Sequence, residues 1–109
     1  MNKIHLIERV NNLRIISKER NEWASCCWVL TEDSAQKLVG GEIYLHVAQD
    51  KPSHFGGRII SYSVCLDGSG SEVGRITFNF IAGMEYKNVK TEKSGWGNEK
   101  KFVWDEEPK

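Results

Sequence analysis

Apolar and polar residues alternate along three stretches of the chain, and a fourth stretch is almost wholly apolar. In Glu42–Val47, Arg58–Leu66 and Arg75–Ala82 every second residue is apolar, which is the period of a half-buried β-strand. Trp23–Leu30 combines aromatic, aliphatic and thiol residues without a charge, as a buried strand does. Because Asp67–Ser71 has the composition of a turn, the strands on either side of it are predicted to form an antiparallel hairpin.

A short helix is predicted at Thr31–Val39, between the first two of these strands. Thr31 is a good N-cap because its hydroxyl accepts a free backbone N–H, and the carboxylates of Glu32 and Asp33 favour the positive end of the helix dipole. The pair Gly40–Gly41 ends the helix, since glycine readily adopts the left-handed conformation found at a C-cap. The apolar side of this helix would consist of Ala35, Leu38 and Val39.

Shorter segments complete the predicted order of elements. Leu13–Ile16 is predicted to be extended and Phe102–Trp104 to form a last short strand, whereas Ile4–Val10 fits either a helix or a strand. Ala48–Gly57 and Lys87–Gly97 are predicted loops. One helix among five or six mainly antiparallel strands indicates the α+β class, built as a small mixed or antiparallel β-barrel with one short helix.

Length, composition and charge narrow the class of protein. The 109 residues have the usual length of one domain, which we predict to span residues 1–109. Hydrophobic residues make up 39%, enough for one modest core. Lys and Arg total 15, as do Asp and Glu, so no overall field would draw the chain to a phosphate backbone or an anionic membrane. The absence of a signal-peptide pattern and of a long apolar run favours a cytoplasmic protein outside the membrane.

The cysteine pattern argues against both a disulfide framework and a metal site. Cys26, Cys27 and Cys65 are an odd set without Cys-x-x-Cys spacing. Because Cys26 and Cys27 are neighbours in a predicted strand, their side chains are expected to point to opposite faces. We therefore expect three free thiols, no metal and no cofactor.

The predicted helix and its flanking strands form a pattern in WVLTEDSAQKLVGGEIYLHVAQDKPSHFGGRIISYSV, which runs from Trp28 to Val64. A short helix leads through the glycine turn Gly40–Glu42 into the strand Ile43–Leu45, and Phe55–Ile60 would be the returning strand. This pattern resembles the PUA-like superfamily, which contains the PUA, ASCH, EVE and YTH domains. The resemblance implies a small β-barrel with a groove that accepts nucleic acid, often a modified or flipped base held by aromatic side chains.

Aromatic residues outside the regular strand patterns are candidates for stacking on such a base. Trp23 follows a charged loop, and Trp96 lies between two glycines, where little nearby would bury it. Phe55 lies in the predicted loop before Arg58 and would join the site or plug one end of the barrel. Trp28 and Trp104 lie within strand patterns, so core packing is expected for both.

Polar residues around the glycine pair Gly56–Gly57 complete the candidate ligand site. His46, His54 and Arg58 surround this pair, and Asn98 follows Trp96 closely, so these four residues would provide hydrogen bonds or phosphate contacts. The glycines permit a close approach of the backbone to a ligand but also suit a β-bulge. Since no Ser-His-Asp order and no metal-ligand spacing is present, no catalytic residue is assigned.

The sequence thus predicts a non-enzymatic domain that binds a nucleobase or single-stranded nucleic acid through an aromatic and polar cleft. The balanced charge favours a single base over ordinary RNA. One alternative is a protein-interaction module, such as a phage-type inhibitor of a host protein, which suits the small size and neutral charge. The other is a small hydrolase that uses His46 as a general acid or base. A flat apolar patch would favour the first alternative, and a deep pocket at His46 the second.

Overall fold

The computed structural model describes residues 1–8, 13–65, 74–97 and 99–104, which form seven strands, one α-helix and one 3₁₀ turn. The predicted Asp67–Ser71 turn and Asn98 lie outside the described residues. In chain order the elements are β1 (Lys3–Ile7), β2 (Leu13–Ser17), β3 (Glu22–Trp28), α1 (Glu32–Leu38), β4 (Glu42–His46), β5 (Ser53–Val64), β6 (Ile76–Ala82), the 3₁₀ turn Met84–Tyr86 and β7 (Lys100–Val103).

All seven strands belong to one mixed sheet, in the spatial order β2-β3-β6-β5-β4-β1-β7. β1 pairs with β4 in parallel, and the other pairs are antiparallel. The mostly-sheet architecture with one helix confirms the predicted combination of elements. Within the described ranges β2 and β7 are the two edges of the sheet and do not pair with each other, so the closed barrel is not confirmed.

One face of the sheet carries the core, and we call it the helix face. Alternate residues of the central strands are fully buried there, because one side chain in two points to each side of a strand. Ala35 and Leu38 of α1 pack onto this surface. As predicted, Thr31 caps the helix, with Oγ1 accepting the Ser34 N–H at 3.1 Å. The buried cluster includes Ile4, Leu6, Ile43, Leu45, Ile59, Ile76, Phe78 and Phe80.

The predicted loop between His46 and Arg58 is shorter than expected, because β5 begins at Ser53. Gly56 and Gly57 are strand residues, paired with Tyr44 and Ile43 of β4. A Cβ atom on Gly56 would collide with the Ile43 carbonyl oxygen, so the neighbouring backbone leaves no room for a side chain. The glycine pair therefore serves the close approach of two strands.

The prediction of three free thiols is wrong. Cys26 and Cys27 are joined by a disulfide, and Cys65 is the free cysteine among the described residues. The expected alternation of faces fails there because β3 is irregular: its register against β6 shifts between Ser25 and Trp28. Neighbouring side chains in that irregular segment therefore do not follow the simple strand pattern.

The two tryptophans expected in the core have different environments. Trp28 is buried as predicted, and its indole Nε1 donates to Ser25 Oγ at 2.9 Å. Trp104, in contrast, is 39% exposed. It follows the last residue of the edge strand β7, where its ring stacks on Phe102 at 5.0 Å and lies 5.9 Å from the Lys37 ammonium. Its position beyond a sheet edge explains why it misses the core.

Candidate functional site

The strand registers place a row of residues across the face of the sheet opposite α1, which we call the second face. Glu22 lies opposite Ile81, and Ile81 opposite Arg58. Arg58 in turn lies opposite Glu42, and Glu42 opposite Lys3. Opposite charges therefore alternate along much of the row, which suits cross-strand pairing.

The acidic members of this row are already engaged by other side chains. Glu42 Oε1 accepts the Tyr44 hydroxyl at 2.7 Å and lies 3.9 Å from Lys3 Nζ. The carboxylate of Glu22 pairs with Arg20 and accepts a hydrogen bond from Asn79 at 3.2 Å. Both carboxylates therefore have partners other than the cation between them.

Arg58, in contrast, is exposed and has no carboxylate within 4.0 Å among the residues that the structure describes. Its guanidinium offers five N–H donors in a fixed plane, a geometry that suits a planar acceptor. Of the ligand-binding residues predicted from the sequence, Arg58 lines the cleft described next, and the other described ones do not.

The cleft at Arg58 has a volume of about 640 Å³, within the range of small-molecule sites. Its apolar wall includes Ile60 and Ile81, and its polar groups come from Arg58, Glu85 and Tyr86. A few polar groups on a mainly apolar surface are the usual composition of a ligand site. We call this site the Arg58 cleft.

Two glycines allow the Met84–Tyr86 turn to pack against the second face. A Cβ atom on Gly83 would lie 2.6 Å from Glu85 Oε1, so that carboxylate sits directly over Gly83. A Cβ atom on Gly56 would lie 3.1 Å from Tyr86 Cβ. Ser53 holds the end of the turn, with Oγ donating to the Tyr86 carbonyl at 2.6 Å. The turn thus supplies the cleft with Glu85 and Tyr86 from fixed positions.

The two tyrosines of this face are hydrogen-bond donors at neutral pH. Burial raises the pKa of Tyr86, and the carboxylates of Glu42 and Glu85 raise it further against the opposing effect of Arg58. Burial and the hydrogen bond to Glu42 raise the pKa of Tyr44. Both hydroxyls therefore stay protonated.

A buried pair of histidines lies on the second face, next to Tyr44. His46 Nδ1 is 2.8 Å from the Lys51 carbonyl oxygen, which can only accept, so this nitrogen carries the proton. Nε2 of a neutral His46 must then accept from His5 Nδ1, at 2.9 Å. Burial lowers the pKa of His5 to about 3, with the charges of His46 and Lys101 contributing. Burial also lowers the pKa of His46, helped by His54 and Lys101 and opposed by the hydrogen bond to Lys51. Both histidines are therefore neutral at pH 7.

The surroundings of this pair keep it away from solvent. His5 stacks on Tyr44 at 4.8 Å between ring centroids, and the Trp96 ring lies edge-on to His46 at 5.6 Å. The exposed fraction is 3% for His5 and 0% for His46. A substrate therefore does not reach His46, and the geometry gives no support to hydrolysis by this residue.

The other predicted ligand residues are dispersed. Trp23 packs edge-on against Phe55, with ring centroids 5.1 Å apart, while Trp96 contacts His5 and His46. Within the described part of the chain, no ring contact links these two aromatic groups. His54 is exposed on β5 and does not line the Arg58 cleft. No common stacking platform is formed by Trp23, Phe55 and Trp96.

Sequence reasoning missed four residues that shape the second face. His5 and Tyr44 fit the alternation of their strands, but their contact depends on a parallel pairing between distant segments. Glu85 and Tyr86 lie in a turn that carries no recognisable motif. The glycines at 56, 57 and 83 are the one signal in the sequence that backbone or side chains pack closely at these positions.

Comparisons of this chain with protein-family models, with curated proteins and with solved structures find no match. None of the helices that the structure describes is long and apolar enough to cross a membrane. Within the same residues, no three His, Cys, Asp or Glu side chains converge as metal ligands would. A function for this chain therefore has to be argued from the geometry of the described residues.

Proposed function

We propose that this chain is a non-enzymatic binding domain that holds a nucleobase, free or within a single strand, in the Arg58 cleft. The observation that carries the proposal is the exposed guanidinium of Arg58. It lines the cleft, while Glu42, the carboxylate opposite it on β4, is held by Tyr44 and Lys3. An unpaired guanidinium is a strong donor to the carbonyl and ring nitrogens of a base.

The walls of the cleft support a flat ligand. Ile60 and Ile81 offer apolar surface to the faces of a ring, and burial of such surface contributes about 25 cal/mol per Å². The balanced charge of the chain provides no general attraction to phosphates, so affinity would come from the base. Membership of the PUA-like superfamily, with a closed barrel, belongs to the same proposal and is supported by the order of β3, α1, β4 and β5. A cytoplasmic location is proposed with it.

A second candidate function is a protein-interaction module, for which the edge strand β2 is the relevant observation. Ile15 and Ile16 are 42% and 44% exposed on this strand. Exposed β-branched residues on an unpaired sheet edge are a common site for strand addition by another chain. This candidate would take first place if no base binds to the Arg58 cleft.

Isothermal titration calorimetry with nucleosides and a short mixed-sequence DNA strand tests the proposal. Arg58→Ala should weaken binding about 10- to 100-fold, the loss expected for charge-assisted hydrogen bonds. Arg14→Ala is a matched control, because Arg14 is exposed on β2, three strands away from β5. If the wild type binds no nucleoside and no DNA strand, or if Arg58→Ala binds as tightly as the control, the proposal is wrong.

A further inference from the structure

Two opposite charges line the Arg58 cleft without forming an ion pair. Arg58 follows Gly56 by two residues on the same strand face, and Gly83 N donates to the Gly56 carbonyl at 3.4 Å. Arg58 and Gly83 are thus diagonal neighbours, which are about 7–8 Å apart in an antiparallel pair. The Glu85 carboxylate sits over Gly83, yet no oxygen of Glu85 lies within 4.0 Å of the guanidinium. A donor group and an acceptor group therefore face the cleft side by side.

We infer that the cleft selects guanine among the bases, with Arg58 donating to O6 and N7 and the Glu85 carboxylate accepting from N1–H and the N2 amino group. The inference rests on the function proposed above. Guanine presents two acceptors on one edge and two donors on the adjoining edge, so both protein groups are satisfied by paired hydrogen bonds.

The other bases leave at least one of these groups poorly matched. Adenine presents an amino donor next to N7, where the guanidinium also donates, and it has no N1 proton for Glu85. Cytosine likewise presents an amino group in place of the carbonyl oxygen. Uracil has one N–H donor with a carbonyl acceptor on either side of it. It therefore offers neither protein group a matching pair of partners and forms fewer hydrogen bonds than guanine. A polar group that loses its partner in the complex weakens binding about 5- to 150-fold, and that loss produces the selectivity.

A zwitterion such as a free amino acid would also present opposite charges to Arg58 and Glu85. A purine adds two ring faces against the aliphatic side chains of Ile60 and Ile81. The apolar wall of the cleft therefore favours the base over the zwitterion.

Calorimetric titration of the full chain with guanosine, inosine, adenosine, cytidine, uridine and free leucine tests the inference. Guanosine should bind at least about 10-fold more tightly than adenosine. Inosine, which lacks the N2 amino group, should fall between them. Glu85→Gln should reduce guanosine affinity about 10-fold and leave adenosine unchanged, because only guanine presents paired donors to the carboxylate. Glu19→Gln, an exposed change outside the cleft, is the matched control.

The outcomes separate this inference from the proposed function. If all nucleosides bind with similar affinity and Arg58→Ala weakens all of them, base binding is correct and guanine selectivity is wrong. If leucine binds in an Arg58-dependent way and no nucleoside does, both are wrong and the cleft holds a zwitterion. If nothing binds to a wild type that unfolds cooperatively, both are also wrong. An unchanged melting temperature of Glu85→Gln excludes loss of fold as the cause of weaker binding.

Discussion

Nδ1 of His5 donates to Nε2 of His46 across the parallel strands β1 and β4, at 2.9 Å. The direction of this bond is set at the other end of His46, where Nδ1 donates to the Lys51 carbonyl. The two rings form one chain of hydrogen bonds that ends on a backbone oxygen. Protonation of either ring would place a positive charge next to the buried Lys101 ammonium.

Stability should therefore fall when the pH is lowered through the range in which unfolded histidine becomes protonated. The folded pKa of His5 is lowered to about 3, whereas an unfolded histidine titrates near 6.5. Below 6.5 the unfolded state binds more protons, so the free energy of unfolding decreases as the pH falls towards 3. Between pH 7.5 and 5 the loss from His5 should be about 2 kcal/mol. Urea unfolding at a series of pH values measures it.

Two variants assign this pH dependence to the buried pair. His5→Gln removes the titrating ring but retains a donor for His46, so the slope of unfolding free energy against pH should become shallower. Arg14→Gln, an exposed change on β2 that removes no histidine, should leave the slope unchanged. Equal slopes for both variants would contradict a neutral buried pair.

The two tryptophans at 28 and 104 should differ strongly in their contribution to stability. Trp28→Ala opens a cavity in the buried cluster and removes the hydrogen bond to Ser25, so it should cost about 3–5 kcal/mol. Trp104→Ala removes a partly exposed ring at the sheet edge and should cost about 1 kcal/mol or less. Chemical denaturation compares the two variants directly. Similar losses would mean that Trp104 belongs to the core after all.

Much of this fold follows from local sequence patterns. The alternation in 42–47 and 75–82 and the capping signals of Thr31 identify β4, β6 and α1, because strand period and helix capping are local properties. The start of β5 was missed because its first residues include two glycines, which have the composition of a loop. Their pairing becomes visible only when Tyr44 and Ile43 lie opposite them.

The candidate site was less predictable than the strands. Arg58 was recognised because a cation next to a glycine pair is a local signal. Among the described residues Arg58 has no counter-ion because Glu42 is bound by Tyr44, and the position of Glu85 depends on a turn packed over Gly83. Both are contacts between distant parts of the chain, so neither composition nor spacing encodes them. The predicted stacking role of Trp96 stays a prediction.

Trp96→Ala should change the titration of the histidines more than the binding of a base. The indole covers His46, and the following residue is held by a hydrogen bond from Gln49 to the Gly97 carbonyl at 3.1 Å. Removal of the ring admits water, so the pKa of the histidines should rise towards its ordinary value. Proton NMR of the histidine rings follows this change. Because Trp96 does not line the Arg58 cleft, guanosine affinity should change by about twofold or less.

A larger loss of nucleoside binding in Trp96→Ala, with unaltered histidine titration, would instead favour stacking of a base on Trp96. The informative replacement is then Trp96→Phe, since it retains an aromatic face. Recovery of binding in Trp96→Phe would move the site from Arg58 to this tryptophan. If Trp96→Ala instead alters the histidine titration and Trp96→Phe restores it with no change in binding, the covering role is supported.

The glycines beneath the Met84–Tyr86 turn should respond differently to alanine, because their obstacles differ in stiffness. The added Cβ at Gly56 meets the Ile43 carbonyl, which is fixed in the strand, so Gly56→Ala should cost about 1–3 kcal/mol of stability. The added Cβ at Gly83 first meets Glu85 Oε1, the end of a side chain that is able to rotate away. Gly83→Ala should therefore keep most of its stability but displace the carboxylate and weaken guanosine binding more than adenosine binding.

Gly97→Ala serves as the control for this pair, since its added Cβ would come no closer than 3.4 Å to the Lys100 carbonyl oxygen. Thermal unfolding and calorimetric titration of the three variants provide both readouts. Stable Gly83→Ala with reduced preference for guanosine would show that the position of the Glu85 carboxylate determines selectivity. Unchanged preference would mean that the carboxylate makes no contact with the base, because the same substitution must move Oε1 away from Gly83.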